Sequence, residues 1–154
     1  MKTIVVEGNF DCFILNTLFP DSKVKIRIAQ GFSNVLSVSR TLIDYGFDVL
    51  IVLDTDTNVS GLDNRMIIQR LMNNDLIDYH LNIVWMDSCI EIVLGKVSSD
   101  FINLNKRNKN LIKDNLLKNK DAILNLKEFQ VIQEFIDKLR DNQLHICSFS
   151  VVDN

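Results

Sequence analysis

Over residues 1–97 the chain alternates short aliphatic runs with longer stretches whose apolar positions recur at helical spacing. Strands are predicted over 3–6, 24–29, 49–53 and 82–86, and helices over 11–19, 34–45 and 63–73. Pro20 closes the first helix and Gly46 the second. Strand, helix, strand, helix, strand, helix, strand is the pattern of a parallel sheet with crossover helices. The continuous V/I/L character of these strands, plainest in VLIVL at 49–53, fits strands covered on both faces, and Trp85 is read as core.

Beyond residue 86 the pattern changes. A short helix is predicted over 90–95, whereas 98–120 is rich in Asn and Lys and weak in apolar positions, the signature of a long loop or a loosely packed helical segment. From 121 the spacing of Ile123, Leu126, Phe129, Val131 or Ile132, Phe135, Ile136 and Leu139 predicts one amphipathic helix. LHICSFSVV at 144–152 reads as a last strand. With no internal repeat and no Pro/Gly/Ser linker, residues 1–154 form one α/β domain: a core over 1–97 with a four-stranded parallel sheet flanked by helices, a basic elaboration over 98–120, and a C-terminal helix and strand over 121–154.

Composition narrows the class. A chain of 154 residues, 47% hydrophobic and 24% charged, can bury one substantial core. No apolar run approaches the roughly 20 residues of a membrane span, and residues 1–20 lack the plan of a signal peptide, so a soluble cytoplasmic protein without membrane contact is predicted. Cys12, Cys89 and Cys147 have neither C-x-x-C spacing nor paired histidines, so they read as ordinary thiols. A net charge of -3 and a pI near 5.3 argue against a protein that coats nucleic acid by charge alone. The charge is uneven, however. Lys106, Arg107, Lys109, Lys113, Lys118 and Lys120 face only Asp114, a local balance of +5 that leaves -8 elsewhere.

The acids have a position in common. In parallel α/β sheets ligands bind outside the carboxyl ends of the strands, near the point where strand order reverses. Here the first strand delivers Glu7 and then Asp11, the third Asp54 and Asp56 from LDTDT, and the fourth Asp87 and then Glu91. In a 2-1-3-4 strand order these exits share one rim. Two unpaired carboxylates about 4 Å apart repel by about 4 kcal/mol at an effective dielectric near 20, so a cation belongs between them. Hard oxygen donors suit Mg²⁺ or Mn²⁺, which share substrate phosphates and activate water in phosphodiester cleavage by one or two ions. Each acid also has a structural reading. Glu7 and Asp11 suit a helix N-terminus, Asp-Thr-Asp is ordinary turn chemistry, and Ser88 with Glu91 has the spacing of a capping box. Gly31, in GFSN after the second strand, is either a turn before a Ser33 or Asn34 cap or a backbone amide that approaches phosphate.

VVEGNFD at 5–11, a β-α unit and VLIVLDTDT at 49–57 resemble the Toprim domain of topoisomerases, primases and small nucleases, over about residues 3–94. The resemblance implies a Rossmann-like Toprim fold, Glu7 as general acid or base that also touches metal, Asp54 and Asp56 as Mg²⁺ ligands, and Asp11 completing the first shell. The overcoming-lysogenization-defect family nucleases are similar in carrying extra acids after the fourth strand, which assigns Asp87 and Glu91 to a second ion. They also use a lysine, for which Lys96 is the candidate, with Lys106 and Lys109 as alternatives. The basic segment is read either as a phosphate clamp built on Lys106, Arg107 and Lys109, or as a solvated loop. Residues 1–154 contain neither the ATPase domain of those nucleases nor the tyrosine domain of a topoisomerase, so the resemblance implies a stand-alone or partner-dependent nuclease acting on DNA or RNA. A regulatory subunit that binds metal and nucleic acid with a partner protein or a second copy is the alternative, and primase-like nucleotidyl transfer ranks behind it. A receiver domain wants its acidic pair after the first strand, and a metal-dependent glycosyltransferase needs a longer chain.

Overall fold

The computed structural model describes residues 1–55, 65, 66, 69 and 81–138. Four parallel strands, β1 (Lys2–Val6), β2 (Lys25–Ile28), β3 (Asp48–Asp54) and β4 (Asn82–Met86), form one sheet in the order β2-β1-β3-β4. This is the 2-1-3-4 order under which the acidic strand exits share one rim. Val6 pairs with Ile28 on one side and Val52 on the other, while Asp54 pairs with Met86.

The alternation of side chains across each strand divides the core into two layers. One face of the sheet, with Ile4, Val6, Leu50, Val52, Val84 and Met86, packs under α1 (Asn9–Leu18), α3 (Ile90–Gly95) and the helices that follow. The opposite face, with Val5, Ile51, Leu53, Ile83 and Trp85, is covered by Val35, Leu36 and Leu42 of α2 (Phe32–Asp44). β1, β3 and β4 are therefore buried on both faces, and Trp85 is core as predicted. β2 differs. Its residues alternate between exposed and half-buried, so one of its faces is open, which is why it reads KIRI and not as an apolar run. The expectation that all four strands are covered on both faces fails there.

The basic segment is more ordered than its composition suggests. It contains a 3₁₀ turn (Ser99–Phe101) and the helix α4 (Lys109–Lys118), whose Ile112 and Leu116 are fully buried against the α1 side of the sheet. Asn105 and Asn108 supply local bonds in place of apolar content. The Asn105 Oδ1 accepts from the Arg107 amide at 3.1 Å, and the Asn108 side chain caps α4 by accepting from the Leu111 amide at 3.3 Å. Neither the long loop nor the loosely packed helix describes this segment. The single helix expected from 121 is two, α5 (Lys120–Leu124) and α6 (Lys127–Asp137), because the chain turns extended at Leu126. The predicted helix over 63–73 is described only at Arg65, Met66 and Gln69, which are helical. The last strand over 144–152 and Cys147 lie outside the described residues, whereas Cys12 and Cys89 are thiols. Among the described residues no helix is long and apolar enough to cross a membrane.

The start of β1 is tied to the end of α6. The Lys2 ammonium donates to the carbonyls of Phe135 at 2.7 Å, Ile136 at 3.2 Å and Lys138, which are orphan acceptors at a helix C-terminus. Burial there lowers the Lys2 pKa, partly offset by Asp48 and Asp137. Lys2→Met is expected to lower the unfolding free energy by about 1–2 kcal/mol, read as a lower urea midpoint with an unchanged m-value.

Candidate metal centre

The strand order fixes where the site can be. α1 leaves β1 toward β2 over one face, and α2 returns the chain to β3 over the other, so the exits of β1 and β3 flank a crevice. Glu7 is the first residue past β1 and Asp54 the last of β3; both are half-buried.

Backbone bonds hold this rim together. The Gly31 amide donates to the Glu7 carbonyl at 3.1 Å, one step beyond the bond from the Ala29 amide to the Val6 carbonyl at 2.8 Å. To reach it, Gln30 adopts φ 60° and Gly31 φ 118°, the second a conformation that side-chain-bearing residues rarely take. Of the two readings of Gly31 the structure shows the turn: its amide bonds the Glu7 backbone and ties the β2 exit to the β1 exit. Gly31 is also the N-cap of α2, with no side-chain cap, so neither Ser33 nor Asn34 plays that part; the Asn34 amide group donates to the Gln30 carbonyl at 3.2 Å.

On the other side, the Thr55 amide donates to the Met86 carbonyl at 3.0 Å, and the Thr55 hydroxyl accepts from the Ser88 amide at 2.7 Å. Thr55, the middle residue of LDTDT, thus pins the β3 exit to the β4 exit. The price is a left-handed Ser88 at φ 65°, an uncommon state for a residue with a side chain. Cys89, not Ser88, is the N-cap of α3, so Ser88 and Glu91 do not form the capping box that their spacing offers.

Asp11 stands in the first turn of α1, where the helix starts at Asn9, two residues earlier than expected. Its pKa is raised from an ordinary 3.8 to about 6, first by burial and then by Glu91, with a smaller push from Glu7; a bond from the Gly8 backbone and the Lys106 ammonium pull the other way. Glu91, in the first turn of α3, has a side chain 25% exposed and lies 3.7 Å from Lys106 Nζ. The structure therefore gathers Glu7, Asp11, Glu91 and Lys106. Asp87 is exposed beyond β4, and Lys96 is exposed at the far end of α3, so Lys106 is the candidate lysine found beside the acids. Asp56 lies outside the described residues.

Sequence reasoning missed two aromatic partners. Lys106 Nζ lies 4.6 Å from the Phe10 ring centroid and Lys109 Nζ 5.6 Å from that of Phe13, so the basic segment reaches the acidic rim through α1. The i, i+3 phenylalanines of NFDCF were the available signal.

Among the described residues no three of Asp, Glu, His and Cys form a ready-made metal cage. The donor set fits a hard divalent ion by its chemistry: its carboxylate oxygens are what Mg²⁺ and Mn²⁺ take. The Asp11 carboxyl, made harder to ionise first by burial and then by Glu91, is a group that such an ion would relieve.

The sign of the Asp11 effect is testable. Between about pH 4 and 6 the folded chain keeps a proton that the unfolded chain has lost, so in chelator stability falls as pH rises through that window, and the cost is fully present above it. Asp11→Asn is expected to remove that fall and raise the melting temperature at pH 7.5 in chelator. Thermal melts across pH read both effects. No family model matches the sequence, and comparisons with curated proteins and with solved structures return no significant match, so the reading of this site stands on its own residues.

Proposed function

We propose that the chain is a Mg²⁺- or Mn²⁺-dependent phosphodiesterase that cleaves DNA or RNA from a Toprim-like core. One observation carries the reading: β1 and β3 are parallel neighbours that deliver Glu7 and Asp54 at adjacent strand ends, with Glu91, in the first turn of α3, 3.7 Å from Lys106 Nζ. Asp54, at the exit of the neighbouring strand, belongs to the same rim.

In this reading Glu7, Asp11, Asp54 and Glu91 hold the ion, with Asp56 and Asp87 as the further ligands implied by the Toprim resemblance. The bound ion supplies Lewis acidity toward a phosphoryl oxygen and an activated water. Glu7, carried by a strand end whose carbonyl is bonded to Gly31, moves the proton as general acid or base. Lys106 neutralises charge beside Glu91, and Arg107 and Lys109 meet neighbouring phosphates of the chain being cut. Lys113 and Lys118, both exposed on α4, add positive charge to that contact.

Nuclease assays with and without EDTA, on the wild type, Glu7→Gln and Asp54→Asn, test the assignment. Activity is expected to vanish in EDTA and to fall by roughly 100-fold or more in each variant. Wild-type rates in both variants would remove the reading.

A further inference from the structure

Two lysines of the basic segment stand over two phenylalanines of α1, in step. Lys106 Nζ lies 4.6 Å from the Phe10 ring centroid, and Lys109 Nζ lies 5.6 Å from that of Phe13. Phe10 and Phe13 are three residues apart on one face of α1, and both are half-buried against the core layer that also holds Ile112 and Leu116 of α4. The core therefore seats each ring, while an exposed lysine side chain lies over it. The turn that carries Lys106 is itself fixed, since the Arg107 amide donates to Asn105 Oδ1 at 3.1 Å and the Asn108 amide to the Asn105 carbonyl at 3.0 Å. The cations continue beyond this pair. Arg107 is exposed, and so is Lys113, one turn after Lys109 on the same face of α4.

Charge selects a polyanion for this surface. Residues 106–120 carry +5 in a chain whose other residues sum to -8, so a polyanion is drawn to this face and repelled by the rest. Glu91, 3.7 Å from Lys106 Nζ, bounds the face on the acidic side. The rings select which polyanion. An acidic peptide or a duplex offers anions to the lysines but no open base face to Phe10 and Phe13, whereas a single strand offers both. Spacing agrees: side chains three apart on a helix stand about 5–6 Å from each other at Cβ, wider than the step of about 3.4 Å between bases in a duplex strand, and suited to bases spread apart.

We propose that Phe10 and Phe13, with Lys106, Arg107, Lys109 and Lys113, form a binding face for single-stranded nucleic acid. Bases stack on the two rings, and the ammonium groups that lie over them swing outward to the phosphates. A cation–π contact at an exposed site is weak enough to be exchanged for a stacked base, and the lysine it releases gains a phosphate. Binding at this face needs no metal. It names the form of the substrate for the proposed phosphodiesterase, and rests on that reading only for the cut.

Fluorescence anisotropy of a labelled oligothymidylate of about 16 nucleotides, titrated with the full chain in EDTA, tests the face. The single strand is expected to bind roughly tenfold more tightly than a duplex of the same length at the same salt. Lys109→Gln is expected to flatten the slope of log K against log salt by about 0.7, the loss of one phosphate contact. Phe13→Leu, which keeps apolar bulk for the core, is expected to weaken single-strand binding by about fivefold or more with the slope unchanged, while Phe13→Tyr keeps the wild-type affinity. The preference between strands is read on the wild type, so it stands as a test even if Phe13→Leu does not fold. Equal binding of single strand, duplex and polyglutamate, no binding at low salt, a slope that Lys109→Gln does not move, or a folded Phe13→Leu that binds as the wild type does overturns the face. Strand binding with these signatures but no cleavage in Mg²⁺ removes the nuclease reading and leaves the face standing; cleavage without strand preference or ring dependence does the reverse.

Discussion

Because β1 lies between β2 and β3, the chain that leaves β1 must turn toward one edge of the sheet, and the chain that comes back through α2 must pass to the other side. The two helices cannot share a face. α1 covers the layer with Val6 and Val52, α2 the layer with Val5 and Ile51, and the backbone parts between the exits of β1 and β3. Everything polar at this end of the molecule follows from that parting. Glu7 and Asp54 stand at its two lips, and Gly31 and Thr55 bond the surrounding loops so that the lips keep their positions.

Electrostatics at the rim oppose stability. Burial and two neighbouring acids make the Asp11 carboxylate hard to ionise, and a single exposed lysine is a partial remedy. A fold selected for stability alone would place an amide or an apolar side chain at Asp11. Keeping acids there while bending Ser88 into a left-handed turn is the combination found where local strain serves a task and the surrounding core bears its cost.

Strands β1, β3 and β4 were legible in the sequence because TIVV, VLIVL and NIVWM state their burial directly, and sheets covered on both faces demand such runs. The strand-end positions of Glu7 and Asp54 were legible for a related reason: polar residues at the end of an apolar run mark where a buried strand meets solvent. The basic segment was misread because Asn was counted as missing apolar content. Asn105 and Asn108 in fact build a turn and a cap, and Ile112 and Leu116 four apart are enough to seat α4. The Gly31 role was hidden because a sequence does not say which carbonyl an amide will find. Lys106 could not be separated from Lys96 and Lys109 by position, since its place depends on phenylalanines almost a hundred residues earlier.

The Lys2 contact has a consequence for how the molecule comes to be. Its acceptors lie 133 to 136 residues further along the chain, and the strand that carries it is a central one. During synthesis β2 follows β1 closely and can pair with it, yet β3 and the carbonyls that hold the first residues of β1 come later in the chain, so the other side of this strand waits for its partner. The acidic rim begins one residue beyond that strand. Its geometry is therefore among the last things the nascent chain acquires, and an unfinished chain has acids in sequence without yet having them in one place.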